Sequence, residues 1–471
     1  MQFTCDDGTC VSIDNRCDEI SDCFDGSDED RCEIVFIDQS SYRRQHPPLN
    51  AHGSHEPLEV EISFDLFMLS EFVEVTFSYK AKFLLTVKWH DHRLKFANLK
   101  DSMFKNLIGS PEKETLWIPP LIFNNSERNT MVTMDREPGD PVANIMIEKR
   151  GNASFAPPVV LDETAFYKGS ENLMVYKSEY NLLLSCIYDL GFYPFDTQTC
   201  AMEVIYIPHL ITLLPNHYCR HKRYSYNKKT LFVLLQIKSI PSLKDHMKLF
   251  PGSVTYHGPK DLLELDVRNV SIRSDGLDHV FVEIKLKRRC LFHLATTYFP
   301  SLCLFIISEI LLFMNEEHFE ATIMVSLTAM LVMYTLHQSI LTQLPKTSYM
   351  KMIDIWLLYG LTIPFLVFIL EVTSQMLRTR KIARRGLSTT MSNNMQHIIK
   401  ATIFRPERVH STQLEEEKVK QEMDEINRRN DEFTFLETLI LKYKKVTIPL
   451  MTTLFIMGYA FAAIIYYYTE D

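Results

Sequence analysis

Four long apolar stretches dominate the C-terminal part of the chain. They lie at residues 291–314, 321–344, 352–377 and 446–468. A helix needs about 20 apolar residues to cross a bilayer, and each stretch is long enough. A single stretch of this kind could be a buried core helix, but three of them follow one another between residues 291 and 377. The pattern therefore predicts four transmembrane helices.

The region before residue 291 has a different pattern, in which apolar and mostly polar residues alternate. The clearest case is the run from Leu58 to Leu66, where every second residue is apolar. Similar strand-like runs occur at residues 73–88, 182–188, 202–207, 231–237 and 280–286. Period-two alternation is typical of half-buried β-strands, and helical periodicity is scarce here. This favours a β-sandwich of about 200 residues.

The distribution of charge orients these segments across a membrane. Residues 378–411 contain eight Lys or Arg and one acid, Glu407, and the positive-inside rule places such a segment in the cytoplasm. Counting helices outward puts the region before residue 291 and the tail 469–471 outside the cell. No basic stripe interleaved with aromatic residues occurs in the N-terminal half, so we expect membrane lipid as a partner and not nucleic acid.

Cysteines and glycosylation sequons agree with an extracellular N-terminal region. Five cysteines fall within residues 1–32, and Cys186 and Cys200 follow, a pattern that suits an oxidising compartment. Three sequons lie in the same region, at Asn124, Asn152 and Asn269. No signal peptide opens the sequence, so we expect that a leader has been removed or was not included. These features predict a multi-pass plasma-membrane protein.

The net charge of −9 arises mainly in residues 1–32, which hold ten acids against Arg16 and Arg31. This segment is too short for an apolar core, so it needs disulfides or a metal. Hard carboxylate oxygens at this density suit Ca²⁺. The part from Cys17 to Cys32 reads CDEISDCFDGSDEDRC and resembles the LDL-receptor class A repeat.

This resemblance implies a Ca²⁺ site and a disulfide pairing. The ligands would be the side chains of Asp18, Asp22, Asp28 and Glu29 and the backbone carbonyls of Asn15 and Ile20. The implied disulfides are Cys5–Cys23 and Cys17–Cys32. Cys10 is left without its usual upstream partner: either the chain is truncated, or Cys10 pairs with another thiol such as Cys219.

Three motifs in the predicted sandwich point to one family. They are Trp89-His-Asp-His-Arg-Leu94, Trp117-Ile-Pro119, and a pair of cysteines, Cys186 and Cys200, that encloses thirteen residues including Tyr193-Pro-Phe-Asp196. A disulfide-closed loop with such a tip is a rigid apolar probe that can press on another domain. Together with the four spans, these motifs resemble the Cys-loop receptors of invertebrates over residues 58–471. The resemblance implies a subunit of a homo- or hetero-pentameric ligand-gated ion channel, with the agonist pocket between extracellular domains.

In this family the agonist pocket is usually an aromatic box that holds an ammonium group by cation–π contacts. The corresponding positions here are Leu84, Asn124 and Ile207, with Tyr206 adjacent. The last binding loop, residues 268–279, contains no aromatic residue and no paired cysteines. We therefore do not expect this subunit alone to bind acetylcholine, serotonin or GABA in the usual way. Its ligand would be different, absent, or shared with another subunit.

The second span carries a half-polar stripe at helical spacing. The stripe consists of Met324, Thr328, Leu331, Thr335, Gln338 and Thr342. Threonines of this kind can hold helices together. Five copies of the stripe around an axis would instead line a water path, with Leu331 as a constriction that gates by dewetting. Alignment with the family places Leu331 at its gate leucine and favours the pore.

Three acids precede or begin this span, with no Lys or Arg among them. They are Glu316, Glu317 and Glu320, and rings of acids at the cytoplasmic mouth of a pore favour cations. Anion-selective relatives carry Pro-Ala-Arg where this chain has Glu-Ala-Thr. Glu320 falls one position outside the family's usual glutamate. The sequence predicts a cation-selective pore.

Gating requires a rigid contact between the sandwich and the pore helix. We expect the loop tip to press on residues 345–348, which begin with Pro345. Arg288 precedes the first span, resembles the family's conserved arginine and should pair with an acid such as Glu74 or Asp196. The tip consists of Tyr193, Pro194, Phe195 and Asp196.

The predicted architecture is a multidomain membrane protein with a disulfide and calcium module, an extracellular β-sandwich, a four-helix transmembrane bundle and an intracellular amphipathic helix. The expected parts are a module at 1–32, a linker at 33–57, the sandwich at 58–289, three transmembrane helices at 290–377, an intracellular segment at 378–445, and the fourth helix with its tail at 446–471. Two other functions stay open: a non-conducting accessory subunit, and an adhesion or endocytic receptor that uses the module. No nucleophile–base pair, Gly-rich phosphate loop or zinc spacing is found, so an enzyme is not expected.

Overall fold

The computed structural model describes residues 2–30, 32–38, 40–48, 57–126, 143–155, 164–206, 247–276, 279–314, 318–404 and 409–469. The chain divides into two compact units. The sandwich unit comprises Met1–Tyr188 and Gln198–Lys287, and the helical unit comprises Asp189–Thr197 and Arg288–Asp471.

The first residues fold into a small module with little apolar content. Strand β1 (Gln2–Thr4) pairs antiparallel with β2 (Cys10–Ser12), and two 3-10 turns follow at Ile13–Asn15 and Ser27–Glu29. Its buried core consists of Phe3, Cys5 and Cys23, with Val11 packed against them. Disulfides join Cys5 to Cys23 and Cys17 to Cys32. Covalent bonds therefore hold a segment that buries too few side chains to be stable otherwise.

The segment 33–57, predicted as a linker, is built into the sandwich in its first part, which corrects that expectation. Strand β3 (Val35–Phe36) pairs with β6 (Lys95–Ala97) in a small sheet that continues through β10 (Ala165–Lys168) and β9 (Ser154–Phe155). Further on, Arg93 donates to the carbonyls of Arg43 and His46 at 3.2 and 2.9 Å. The backbone NH of Trp117 donates to the Tyr42 hydroxyl at 2.7 Å. The polar composition of the segment concealed these contacts, because most of them use its backbone and one uses the hydroxyl of a single tyrosine.

A five-stranded sheet carries the longest strands of the unit. Its order is β13-β4-β5-β11-β8, with β13 (Met247–Tyr256) parallel to β4 and the other pairs antiparallel. The other strands are β4 (Leu58–Val73), β5 (Ser78–Trp89), β8 (Asn144–Glu148) and β11 (Leu173–Ser185). The predicted alternation is present in β4, where Leu58, Val60, Ile62 and Leu66 are at most 2% exposed.

A four-stranded sheet lies over the apolar face of the first. Its order is β14-β15-β12-β7, from β14 (Leu265–Ser274), β15 (His279–Arg288), β12 (Thr197–Tyr206) and β7 (Leu121–Phe123). Phe83 of β5 meets Phe123 of β7 edge to face at 5.3 Å, and Trp89 meets Trp117 at 6.3 Å. The two tryptophans of the sequence motifs are thus core residues. The predicted run 231–237 lies outside the described residues.

The helical unit contains four helices that are long and apolar enough to cross a membrane. A single turn, α1 (Ser110–Lys113), belongs to the sandwich unit. The helices of the helical unit are α2 (Phe299–Leu311, preceded by helical turns from Leu291), α3 (Phe319–Gln343), α4 (Met352–Phe404) and α5 (Val409–Thr469). The predicted cytoplasmic helix is continuous with the fourth span, since α5 covers both.

Aromatic side chains pack α2, α4 and α5 together. Tyr359 stacks on Phe455 with centroids 3.7 Å apart, and Trp356 lies 4.9 Å from Tyr459. The Trp356 indole NH donates to Ser301 at 2.8 Å. Because α3 contributes none of these aromatic contacts, its packing rests on smaller side chains.

Candidate functional site

The open face of the five-stranded sheet carries a charged concavity of about 450 Å³. It is lined by Ser63, Asp65, Thr86, Lys88, Met103, Glu148, Val175, Lys177 and Ser253. The strand register explains the grouping, because Ser63, Thr86 and Lys177 are paired across β4, β5 and β11. Both signs of charge therefore meet above one row of small polar side chains.

Some of these charges are paired and one is not. Lys88 binds Glu61 at 3.1 Å, while Asp65 accepts a short hydrogen bond from the Thr255 hydroxyl. Lys177 forms no ion pair within the described ranges; its ammonium lies 5.9 Å from the Phe104 ring. Lys177 is thus the cation of the concavity that is most available to an anionic group.

The positions that resemble the family's aromatic box hold a hydrogen-bonded polar cluster instead. The Asn124 amide donates to Glu203 Oε2 at 2.6 Å, and His279 Nδ1 lies 3.0 Å from Glu203 Oε1. Burial raises the pKa of Tyr206 to about 12, so this phenol stays neutral. Ile207 lies outside the described residues. Glu203 and His279 were missed by sequence reasoning, since neither belongs to a motif.

The loop between Cys186 and Cys200 is closed by a disulfide, and its tip belongs to the helical unit. Arg288 binds Asp196 through two hydrogen bonds of 2.8 and 3.2 Å, and the two side chains are 2% and 1% exposed. The Arg288 guanidinium also lies 4.6 Å from the centre of the Tyr193 ring. Asp196, one of the two acids expected to pair with Arg288, therefore forms this ion pair.

Other contacts of the disulfide-closed loop, from the tip and from residues 190–192 before it, reach the ends of three helices. The Tyr193 hydroxyl lies 3.0 Å from His293 Nε2, and Phe192 stacks on Tyr466 at 3.7 Å. The backbone NH of Leu190 donates to the Tyr349 hydroxyl at 3.1 Å. The Met352 NH donates to the Gly191 carbonyl at 2.8 Å. Tyr349 and Met352 follow shortly after the expected residues 345–348, whereas His293 and Tyr466 belong to the first and fourth spans.

The polar stripe of the second span lies on the exposed side of α3 in the single subunit. Met324 is 64% and Leu331 is 62% exposed, and Thr328, Thr335, Gln338 and Thr342 are also exposed. The three threonine hydroxyls donate to carbonyls three residues earlier in the same helix. The opposite face is buried through Thr322, Ser326, Ala329, Met333 and Ile340. Within one subunit the stripe therefore does not act as an adhesive between helices.

The acids expected at the inner mouth are only partly described. Glu320 is exposed in the first turn of α3 and forms no ion pair within the described parts of the chain. Glu316 and Glu317 lie outside the described residues. The three sequon asparagines, Asn124, Asn152 and Asn269, are exposed.

The N-terminal module contains a buried carboxylate that suits a cation. Asp28 is fully buried, and its Oδ1 has no hydrogen-bond partner among the described residues. Its Oδ2 accepts from the Asp22 NH at 2.6 Å, and Glu29 accepts from the NH groups of Asp18 and Glu19. A buried anion without compensation is costly, so this donor set fits a hard cation such as Ca²⁺. The one compact metal-type group among the described residues, Cys5, Cys23 and Asp25, contains disulfide sulfurs and is not a ligand set.

A lysine of the sandwich reaches the backbone of this module. Lys100 Nζ donates to the carbonyl of Arg16 at 2.7 Å and also to that of Asp14. Burial lowers the pKa of Lys100, while the nearby carboxylates of Asp18 and Asp14 oppose the shift. Sequence reasoning gave no signal for this contact.

Comparison with known proteins supports both parts of the N-terminal half. Residues 35–209 match the neurotransmitter-gated ion-channel ligand binding domain, and residues 1–32 match the low-density lipoprotein receptor domain class A. The chain is similar to a gamma-aminobutyric acid receptor subunit beta-like of Drosophila melanogaster, at 21% identity over 64% of this chain and 53% of the relative. It is also similar to the acetylcholine receptor subunit beta-type acr-3 of Caenorhabditis elegans, at 25% identity over 69% of this chain and 54% of the relative.

A third relative is a glutamate-gated chloride channel subunit beta of Haemonchus contortus, at 21% identity over 70% of this chain and 67% of the relative. The chain spans about half the length of the first relatives it matches. The matching family consists of ligand-gated ion channels and not of enzymes. Together with the four apolar helices, the match identifies a multi-pass plasma-membrane protein whose ligand-binding domain is extracellular. The chain is thus similar to Cys-loop receptor subunits, with a match to their ligand-binding domain at 35–209 and a match to the LDL-receptor class A domain at 1–32.

Proposed function

We propose that this chain is one subunit of a homo- or hetero-pentameric ligand-gated channel whose pore is lined by α3. The observation that carries this proposal is the exposed stripe of α3, whose opposite face is buried against the other helices. A half-polar face directed away from the subunit's own bundle is costly in lipid. It is stabilised when five copies enclose water, with Leu331 as the apolar constriction.

The pore is cation-selective in this proposal, through acids at its inner mouth. Five copies of Glu320 around a narrow, low-dielectric pore create a negative potential that enriches cations and excludes chloride. Glu316 and Glu317 would extend this field into the cytoplasmic entrance. Two of the similar relatives are named chloride channels, so the proposed selectivity rests on these acids and not on the relatives.

The agonist binds between the extracellular domains of two neighbouring subunits. The charged concavity is the part of the binding site that one of these two domains contributes. Acidic Asp65 and Glu148 and basic Lys88 and Lys177 suit a small molecule with both an amine and a carboxylate. Leu84 and the Asn124–Glu203–His279 cluster replace the aromatic box that an ammonium alone would need. Two relatives are named for γ-aminobutyric acid and glutamate, which are amino acids.

The class A module binds Ca²⁺ through the side chains of Asp18, Asp22, Asp28 and Glu29 and the carbonyls of Asn15 and Ile20. The orphaned Oδ1 of buried Asp28 supports this assignment. The ion would neutralise the clustered carboxylates and so stabilise the fold of the module.

Expression of the chain alone in oocytes tests the channel function. Currents recorded across a panel of amino acids, amines and pH values should show ligand-gated conductance, with a reversal potential that follows the cation gradient. A chain that reaches the surface as a pentamer but never conducts, even with the gate substitution Leu331→Ser, is an accessory subunit. A monomer at the surface would favour the adhesion or endocytic receptor.

A further inference from the structure

We infer that the class A module is a regulatory element seated on the sandwich unit, which controls the charged concavity through residues 98–106, here called the clamp loop. Only the identification of the concavity as the agonist seat rests on the proposed function. The seating of the module and its link to the loop follow from contacts within the sandwich unit.

The module is held at two points by one short stretch of the sandwich. At the first point, the Lys100 ammonium donates to the carbonyls of Asp14 and Arg16. At the second point, the NH of Ala97 donates to the carbonyl of Ile34 at 2.9 Å, two residues beyond Cys32. The Cys17–Cys32 disulfide joins these two points covalently. A change in the module's fold therefore displaces residues 97–100, because both points of contact move with the module.

Lys100 also fixes the shape of the clamp loop. Its backbone NH donates to Asn106 Oδ1 at 2.8 Å, and its carbonyl accepts from Asn106 Nδ2 at 2.9 Å. Asn106 is 1% exposed and donates to the Ile147 carbonyl of β8 at 2.9 Å. The side chain of Lys100 thus holds the module, while its backbone closes a loop anchored on the five-stranded sheet.

The clamp loop forms part of the wall of the charged concavity. Met103 lines the concavity, and the ring of Phe104 lies 5.9 Å from the ammonium of Lys177. Ile147, the anchor of the loop, precedes Glu148, another lining residue. Displacement of the loop therefore changes both the wall and the surroundings of Lys177. Module, loop and concavity form one continuous set of contacts.

The test uses the full-length chain in lipid nanodiscs and two independent perturbations of the module. One is removal of Ca²⁺ with EDTA, and the other is the double substitution Cys17→Ala and Cys32→Ala. Hydrogen–deuterium exchange reports on the clamp loop, and the acylation rate of Lys177 by a small amine-reactive ester reports on the concavity. Lys100→Met removes the contact directly, and the matched control is Lys105→Met on the exposed part of the same loop.

In the wild type, either perturbation should accelerate exchange at the Lys100 NH about tenfold, the scale of one lost hydrogen bond to a charged group. The Lys177 acylation rate should change severalfold in parallel. Lys100→Met should show the faster exchange even without a perturbation of the module, and removal of Ca²⁺ or of the disulfide should not increase it further. Lys105→Met should behave as the wild type.

Clamp-loop exchange that stays at the wild-type rate while the module's own peptides exchange faster would overturn the inference. If exchange in the clamp loop becomes faster while the Lys177 acylation rate stays unchanged, the claim that the loop controls the concavity is refuted. If EDTA leaves the module unaffected, the calcium assignment fails. The cysteine substitutions alone then decide whether the module controls the clamp loop. Neither readout needs channel current, so failure here is distinct from failure of the proposed channel function.

Discussion

Replacement of Arg288 by Gln should abolish gating while the pentamer still assembles. Arg288 is the last residue of β15 and the residue at which the helical unit resumes, and Asp196 directly precedes β12. The substitution removes two charge-assisted hydrogen bonds of 2.8 and 3.2 Å and the contact with the Tyr193 ring. It leaves the Asp196 carboxylate, which is 1% exposed, without the Arg288 guanidinium.

The magnitude follows from the burial of the pair. Removing one partner of a buried ion pair costs about 3–5 kcal/mol, because the other charge stays desolvated. A conformational equilibrium that depends on this pair shifts by roughly a hundredfold to several thousandfold. Adding Asp196→Asn removes the uncompensated charge, so the double variant should be less impaired than Arg288→Gln alone. Lys285→Gln, an exposed site on β15, is the matched control and should change little.

Surface biotinylation and cross-linking measure assembly, and oocyte currents measure gating by whichever ligand opens the wild type. If the wild type is silent, the same variants are compared in a background that carries Leu331→Ser. Arg288→Gln channels that reach the surface and gate normally would refute the coupling role. A double variant that is as impaired as the sum of the single variants would refute the ion pair as the cause.

Three further predictions concern the pore and the module. Leu331→Ser should produce a standing leak current, because a ring of polar side chains wets the constriction. Leu327→Ser, which lies off the stripe, is the control and should produce no leak. An equal leak current in both variants would contradict the gate assignment. Under a NaCl gradient, the wild-type reversal potential should follow sodium and Glu320→Ala should weaken that preference; a reversal at the chloride potential would refute cation selectivity. The double variant Asp22→Ala and Asp28→Ala should lose the Ca²⁺-dependent protection of the module from proteolysis, while the sandwich stays intact. If the wild-type module is protected equally well in Ca²⁺ and in EDTA, the calcium site is disproved.

The sequence predicted those elements whose signal is a repeated pattern. The alternation from Leu58 to Leu66 became one long strand because each inward side chain is buried against the second sheet. The spans were predicted from length and apolarity, which the bilayer imposes on any helix that crosses it. The disulfides implied by resemblance are formed, with Cα atoms 5.9, 5.5 and 5.2 Å apart.

Contacts made by single residues far apart in the chain had no such signal. Lys100 and Arg16 are separated by 84 positions, and Leu190 and Tyr349 by 159. The segment 33–57 looked like a linker because most of its contacts use backbone groups, which every residue possesses, and the Tyr42 hydroxyl is a single side chain outside any motif. Aromatic residues at helix ends were the available clue for Tyr349 and Tyr466, since such residues are enriched at membrane interfaces.

The path of the chain through this loop supports the coupling role that we propose for one ion pair. The chain passes between the two units after Tyr188, after Thr197 and after Lys287. The Cys186–Cys200 disulfide ties the first two crossings together, so the tip enters the helical unit as a closed loop. The Arg288–Asp196 pair joins the third crossing to the second. In the proposed coupling, a displacement of β15 that reaches Arg288 therefore acts on the same closed loop that contacts Tyr349, Met352 and Tyr466. Loss of the ion pair removes the side-chain connection between β15 and this loop and leaves the backbone hydrogen bond from Arg288 to Asp196, and we expect gating to fail for that reason.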